Sequence, residues 1–250
     1  MIYQKIKDNI KYISRKYFQY DLSTIRTKLD QDFFDQKNLL SSAQVKTIFD
    51  VGSHIGQTTR KYKKLYPKAN IHGFEPYPEI YKKYIDSTCG DKKIYSNNFA
   101  LSDKNGEAKF FVNNFHGTNS LLSNNKEYTD AIDSYKPLKT MRVKTETLDD
   151  YCKKNKIEKI NILKMDVQGG ELLVLKGSKK MLSEGKIDLI YTEVEYARIY
   201  KNQPLFKDLE IFLKQYNYSL YKTYNLAYLD DNTPLAGDAI FIHNGIKNKL

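Results

Sequence analysis

The stretch Val45-Lys46-Thr47-Ile48-Phe49-Asp50-Val51-Gly52-Ser53-His54-Ile55-Gly56-Gln57-Thr58 decides the fold of this chain. Val45–Val51 is a short, β-branched, apolar run of the kind that forms a buried strand. Gly52 stops the run, and a helical stretch follows to about Tyr66. A strand that ends in a glycine turn and feeds a helix opens a βαβ unit. Gly52 and Gly56 allow a tight turn and a close backbone approach to a ligand. The first N–H groups of the following helix lack intrahelical partners and point toward the same place.

Outward from this turn the alternation continues. Asn70–Phe74 reads as a strand, Pro76–Ser87 as a helix and Lys93–Phe99 as a strand. Ile160–Met165 (INILKM) and Ile187–Val194 (IDLIYTEV) read as buried strands around a helix at roughly Gly170–Leu182. A helix near Leu205–Tyr216 and strands near Ser219–Tyr224 and Ala239–His243 complete the pattern. Apolar strands alternating with helices mean an α/β fold with a mostly parallel sheet, which binds ligands at the carboxyl ends of its strands. One segment departs from the alternation. Glu107–Val112 looks like a strand, and the polar stretch Asn113–Lys139 is long enough to be a lid, with a short helix expected at Tyr128–Tyr135.

Residues 1–43 read as an N-terminal helical extension of two segments, and 44–250 as a single ligand-binding domain. In the first segment Ile6, Ile10, Ile13 and Tyr17 form an apolar stripe flanked by lysines and arginines. A basic amphipathic helix of this kind can touch an anionic membrane peripherally, although packing against the domain behind it is the favoured reading. The 250 residues are 40% hydrophobic and 28% charged, which is globular composition. The net charge of +11 is spread along the length without a compact basic block, so a nucleic-acid partner is not expected. No apolar run reaches the roughly 18 residues of a membrane span, and the N-terminus lacks the apolar core of a signal peptide. Cys89 and Cys152 stand apart from any metal-binding spacing. These features favour a cytoplasmic protein. Oligomeric state is not legible.

The strand ends carry the chemistry. The G-x-x-x-G spacing, with Asp50 ahead of it, differs from the G-x-G-x-x-G turn that cradles a pyrophosphate. It suits a ligand with both an ammonium and a carboxylate, such as the amino-acid end of S-adenosylmethionine (SAM). Glu75, followed by Pro76, ends the second strand, where a carboxylate accepts hydrogen bonds from a ribose diol. The third strand ends at Asn97-Asn98-Phe99-Ala100-Leu101-Ser102-Asp103, where small and amide residues can line an adenine slot.

Taken in order, DVGSHIGQT, GFEPYPE, NNFALSDKNGEA, TLDDY and KMDVQGGELLVLKG resemble the FkbM family of SAM-dependent methyltransferases. The resemblance covers roughly residues 45–195 and, more loosely, the chain to about 243. It implies a Rossmann-like class I methyltransferase fold: a seven-stranded, mostly parallel sheet whose last strand is antiparallel. It also implies O-methylation of a sugar, surface glycan or related metabolite, with S-adenosylhomocysteine as product. By position, Asp50, Gly52, Ser53, His54 and Gly56 fall in the SAM loop, Glu75 and Pro76 at the ribose, and Asn98 and Ala100 at the adenine. Two positions depart from the family pattern. His54 stands where Asn is common, and Gln168 where Glu is common in D-x-E-G-x-E, removing a negative charge near the reaction centre.

Methyl transfer from a sulfonium is an in-line displacement that needs an aligned acceptor and a base. Asp166, ending the fourth strand before Gly169-Gly170, is the first choice for the centre and borders the cofactor as well. Glu193 and Glu195 close the fifth strand; one is expected to face the site and the other solvent, with Glu193 preferred. His116, on the candidate lid, has a pKa range suited to taking a hydroxyl proton. Tyr128, Tyr135, Tyr196 and Tyr200 are candidates for stacking on a sugar ring. Asp166, Glu171 and Glu193 offer oxygens of the kind Mg²⁺ takes, but no ligand count supports a divalent metal, and the metal-free reading is preferred. An RNA methyltransferase, or a non-enzymatic interaction protein on the same fold, are the alternatives. The first lacks a clustered basic face and the second would predict a broken glycine loop.

Overall fold

The computed structural model describes residues 31–126, 133–228 and 234–247. Helix α1 (Gln31–Leu39) precedes strand β1 (Thr47–Val51), helix α2 (Gln57–Leu65), β2 (Asn70–Phe74), α3 (Pro78–Thr88) and β3 (Ile94–Asn97). Strands β4 (Ala100–Leu101), β5 (Gly106–Asn113) and β6 (Pro137–Glu146) follow, then α4 (Leu148–Lys154) and β7 (Ile160–Met165). The chain continues through α5 (Glu171–Lys176), α6 (Lys179–Ser183), β8 (Ile187–Glu195), α7 (Phe206–Lys214), β9 (Tyr218–Tyr228), β10 (Pro234–His243) and α8 (Asn244–Lys247).

The main sheet has seven strands in the order β3-β2-β1-β7-β8-β10-β9. Pairings from β3 across to β8 are parallel, and β10 runs antiparallel to both of its neighbours. This is the expected Rossmann-like sheet with its last strand reversed. Every residue of β7 and β8 is buried, which is why both read as continuous apolar runs. Alternate residues serve opposite faces. Phe49, Leu163 and Ile190 pack with Leu175, Leu182 and Leu213, while Ile48, Ile162, Leu189 and Ile240 pack with Phe33, Leu39, Leu40 and Tyr62. Helix α1, the second of the two expected N-terminal segments, therefore packs on the second face. The first segment, with its basic stripe, lies outside the described residues.

Two elements differ from the sequence reading. The polar stretch after residue 113 includes a strand, β6, which pairs antiparallel with β5 and parallel with β4 in a separate three-stranded sheet. Its period-two pattern turns Val143 and Thr145 inward while Arg142 and Lys144 stay exposed. Arg142 Nε donates to Glu107 of β5 at 2.9 Å. The described residues between β5 and β6 include 3₁₀ turns at His116–Thr118 and Asp133–Tyr135, and the rest of the helix expected at Tyr128–Tyr135 lies outside the described residues. The helix expected through 182 is broken into α5 and α6 at Gly177, where a Cβ would come within 2.0 Å of the Ser102 carbonyl oxygen.

Strand order reverses between β1 and β7, because the chain builds outward from β1 to β3 and then returns to β1's other side. A crevice opens outside the carboxyl ends of strands at such a switch point. The small sheet and residues His116 to Leu121 border that crevice, with Phe110, Val112 and Val143 packed with Tyr77 and Ile80.

Candidate active site

The cleft at the switch point is walled by Gly52, Ser53 and His54 after β1, by Glu75 and Pro76 after β2, by Ala100 and Leu101, and by Asp166 to Gln168 after β7. His116, Gly117 and Asn119 reach in from the β5–β6 connection. The sequence-derived residues after β1, β2 and β7 thus converge with His116 on one cavity.

The glycine turn owes its shape to its own packing. Gly52 and Gly56 have φ of 74° and 85°, in the left-handed region that favours glycine. A Cβ on Gly52 would lie 1.9 Å from the Asp166 carbonyl oxygen, so glycine is required where the turn passes the end of β7. The N–H groups of Gly52 and Ser53 both donate to the Phe74 carbonyl at 3.0 Å. Ser53 Oγ donates to the Asp50 carbonyl and accepts from the Phe74 N–H, tying β1 to β2. The helix starts at Gln57, so the first-turn residues at the cleft are Gln57 and Thr58.

Asp50 does not face the ligand side. It is fully buried, accepts from Thr59 Oγ1 at 2.5 Å and pairs with the Lys164 ammonium at 3.0 Å. The register explains this, since Asp50 and Lys164 are directly paired positions on β1 and β7 and share a sheet face. Lys164 Nζ also donates to the Gly52 carbonyl at 2.9 Å and lies 3.4 Å from that of Val51. The pair therefore fixes the glycine turn from beneath.

Glu75 is buried, yet its carboxylate borders the cleft. Oε2 accepts from the His54 N–H at 3.1 Å and Oε1 from the Tyr77 N–H at 2.9 Å. Burial pushes its carboxyl up to about 7, against the downward pull of those N–H groups and of Lys164. Each oxygen accepts one of these bonds and has capacity for another. Ala100 lies on the wall with Leu101 and Phe110, while Asn98 is exposed, its amide donating to the Glu75 carbonyl at 2.8 Å and to that of Pro76. Asn98 holds the strand end instead of bordering the cavity.

His54 and His116 meet. Nε2 of the first and Nδ1 of the second lie 2.6 Å apart and share one proton. Burial, then the neighbouring His116, lowers the His54 pKa to about 4; burial also lowers that of His116. Both rings are neutral at pH 7. His116 thus tethers the insertion to the glycine turn.

At the end of β7, Asp166 is half-buried and its Oδ1 accepts from Gln168 Nε2 at 2.9 Å. The same nitrogen donates to Glu193 Oε2 at 2.8 Å. Glu193 therefore sits behind Gln168 instead of on the cavity wall. Glu195 is buried too, not solvated, because β8 is covered on both of its faces. Glu171 is buried and accepts from the Val167 N–H at 3.0 Å, and burial pushes its carboxyl up to about 7. Among the described residues no group of three or more His, Cys, Asp or Glu is placed to hold a metal ion.

The tyrosines expected to stack on a sugar serve packing. Tyr135 and Tyr200 are buried edge to face at 5.8 Å, and Tyr196 packs on Phe206. Tyr128 lies outside the described residues. Several cleft residues escaped the sequence reading: Lys164, Phe33 of α1, Tyr191 of β8 and Asp238 of β10. Lys164 carried a signal, because a lysine inside the apolar run INILKM must find a partner if that strand is buried. Tyr191, which donates to Asp32 of α1, looked like one more strand aromatic.

Residues 50–220 match the family described as Methyltransferase FkbM domain. The chain is 30% identical over 162 residues to the 2-O-methyltransferase NoeI of Sinorhizobium fredii, covering 62% of this chain and 66% of that protein. It is 26% identical over 148 residues to the hexuronic acid methyltransferase AglP of Haloferax volcanii, covering 59% and 55%. Methyltransferase sdnD of Sordaria araneosa is 29% identical over 156 residues, covering 52% and 59%. The matches thus span just under two thirds of these relatives' lengths or less. With the glycine turn, the strand-end Glu75 and Asp166 gathered on one cleft inside the matched residues, the chain belongs to the FkbM methyltransferase family.

Proposed function

We propose that this domain binds SAM in the cleft and methylates a hydroxyl of a sugar, surface glycan or related metabolite. The observation that carries the reading is Glu75, a buried carboxylate bordering the cleft one strand over from the glycine turn. The cavity's chemistry fits the donor part by part. Glu75 has acceptor capacity for a ribose diol, and Ala100, Leu101 and Phe110 give an apolar slot for a purine. The N-terminus of α2 at Gln57 and Thr58 favours a carboxylate, and the Gly52 turn and Asp166 line the same cavity.

When bound, SAM supplies a methyl on a positively charged sulfur, already activated for displacement. What remains for the chain is to align an acceptor hydroxyl and remove its proton. Asp166, at the cleft end of β7, accepts that proton, and Gln168 fixes its carboxylate. The insertion, tethered through His116 and His54, limits water at the centre. His116 is thus a tether, since its lowered pKa and its bond to His54 make it the poorer base. The sugar acceptor follows the two relatives whose names specify 2-O-methylation and hexuronic acid. Residues 44–250 form the main binding unit, and the N-terminal extension adds Phe33 to the cleft wall.

Calorimetry of ligand-free protein with SAM and S-adenosylhomocysteine tests the cofactor, with micromolar binding expected and no detectable uptake refuting it. A labelled-methyl screen against nucleotide sugars, glycans and RNA tests the acceptor. Label in RNA alone would reject the sugar reading.

A further inference from the structure

Gln168 sits at φ 56°, in the left-handed region, with its carbonyl held by Ser120 Oγ at 2.7 Å. That backbone aims the side chain between two carboxylates on different strands. One amide nitrogen donates to Asp166 and to Glu193, at 2.9 and 2.8 Å. The amide oxygen lies 3.0 Å from the Tyr200 hydroxyl, which is also 2.9 Å from the Thr118 carbonyl of the insertion. The amide's orientation is fixed by its neighbours, because turned over it would aim its oxygen at two acceptors.

We propose that the Gln168 amide is a built-in substitute for a divalent cation: it bridges Asp166 and Glu193 at the point where an ion would sit, so this site works without a metal. Divalent ions bind through clustered carboxylate oxygens. Here the space between the oxygens is filled by an N–H₂ group that supplies one donor to each. The bridge needs no ion, sets the angle of the Asp166 carboxylate, and links it through Tyr200 to the insertion that covers the cleft. A glutamate at 168 would instead bring three carboxylates together, with buried Glu171 on α5 and neutral His54 also acting on Asp166. Such a cluster favours a cation or a shared proton. That the bridge serves catalysis rests on Asp166 being the base; that it excludes a cation does not.

The test is Mn²⁺ titration of the full chain, followed by electron paramagnetic resonance, for the wild type, Gln168→Glu and the double variant Gln168→Glu/Asp166→Asn. Wild-type affinity is expected to be no tighter than millimolar. Gln168→Glu should bind Mn²⁺ at least tenfold more tightly, and Asp166→Asn should remove the gain. Where Gln168→Glu does not fold, Gln168→Ala, which empties the position, should still gain about threefold. Micromolar Mn²⁺ binding by the wild type that Asp166→Asn abolishes, or no gain in a folded variant, overturns the proposal. SAM calorimetry on the same samples keeps the two readings apart. Failure to bind SAM rejects the cofactor assignment, while the Mn²⁺ result still decides the role of Gln168.

Discussion

Replacing Lys164 with methionine removes the charge that holds the glycine turn from below while nearly preserving side-chain length. In the wild type the Lys164 side chain is 7% exposed and that of Asp50 is fully buried. The ammonium contacts Asp50 at 3.0 Å and the Gly52 carbonyl at 2.9 Å. Without it, Asp50 keeps the Thr59 hydroxyl but loses its counter-charge in a site water does not reach. Breaking one side of a buried pair costs about 3–5 kcal/mol, against a total of about 5–15 kcal/mol for an ordinary domain. For a domain of this size that is a drop in Tm of roughly 6–20 °C. SAM affinity should fall at least tenfold, because the Gly52 carbonyl loses its donor. The assay is urea unfolding followed by circular dichroism, with SAM calorimetry at a temperature where the variant remains folded. The double variant Lys164→Met/Asp50→Asn replaces the charged pair with a neutral one and should recover about 2 kcal/mol or more, a coupling typical of contacting residues. A single variant within about 1 kcal/mol of wild type, or single costs that add to within about 0.5 kcal/mol, would refute the role given to the pair.

Because burial raises Glu75 to about 7, its carboxylate is largely protonated at pH 6 and charged at pH 8. A diol donates to the charged form, so SAM affinity should rise about tenfold between those values and level off above, with proton release on binding below pH 7. Calorimetry in buffers of differing ionisation enthalpy reads both; a flat profile, or one unchanged in Glu75→Gln, argues against ribose recognition by Glu75. Gly52→Ala forces a Cβ toward the Asp166 carbonyl and should displace the turn, weakening SAM at least tenfold in a protein that still folds, as checked by circular dichroism beside calorimetry. Asp166→Asn should lower kcat about 100-fold or more while leaving SAM affinity within about threefold; equal losses in both would remove Asp166 from the reaction centre.

The chain's local chemistry determined its strands and glycine turn before any fold was in hand. Runs such as INILKM and IDLIYTEV are apolar because both faces of the parallel strands they form are covered. Gly52 and Gly56 supply the left-handed backbone that the turn after β1 needs. The end of β2 likewise located Glu75, because a parallel sheet exposes its strand ends to ligand. What only the tertiary structure decided is which way each polar group faces and what it meets. Asp50 looked like a ligand contact and became a buried anchor, because the register of β1 against β7 sets it beside Lys164. Glu193 and Glu195 share a face, and Gln168 lies between Glu193 and Asp166. His116 became the partner of His54 because β6 folds the insertion back over the cleft. Periodicity along one strand carries the side a residue faces, but pairing, register and the return of an insertion depend on residues far apart in the chain. Those contacts are settled only when the whole sheet closes its core.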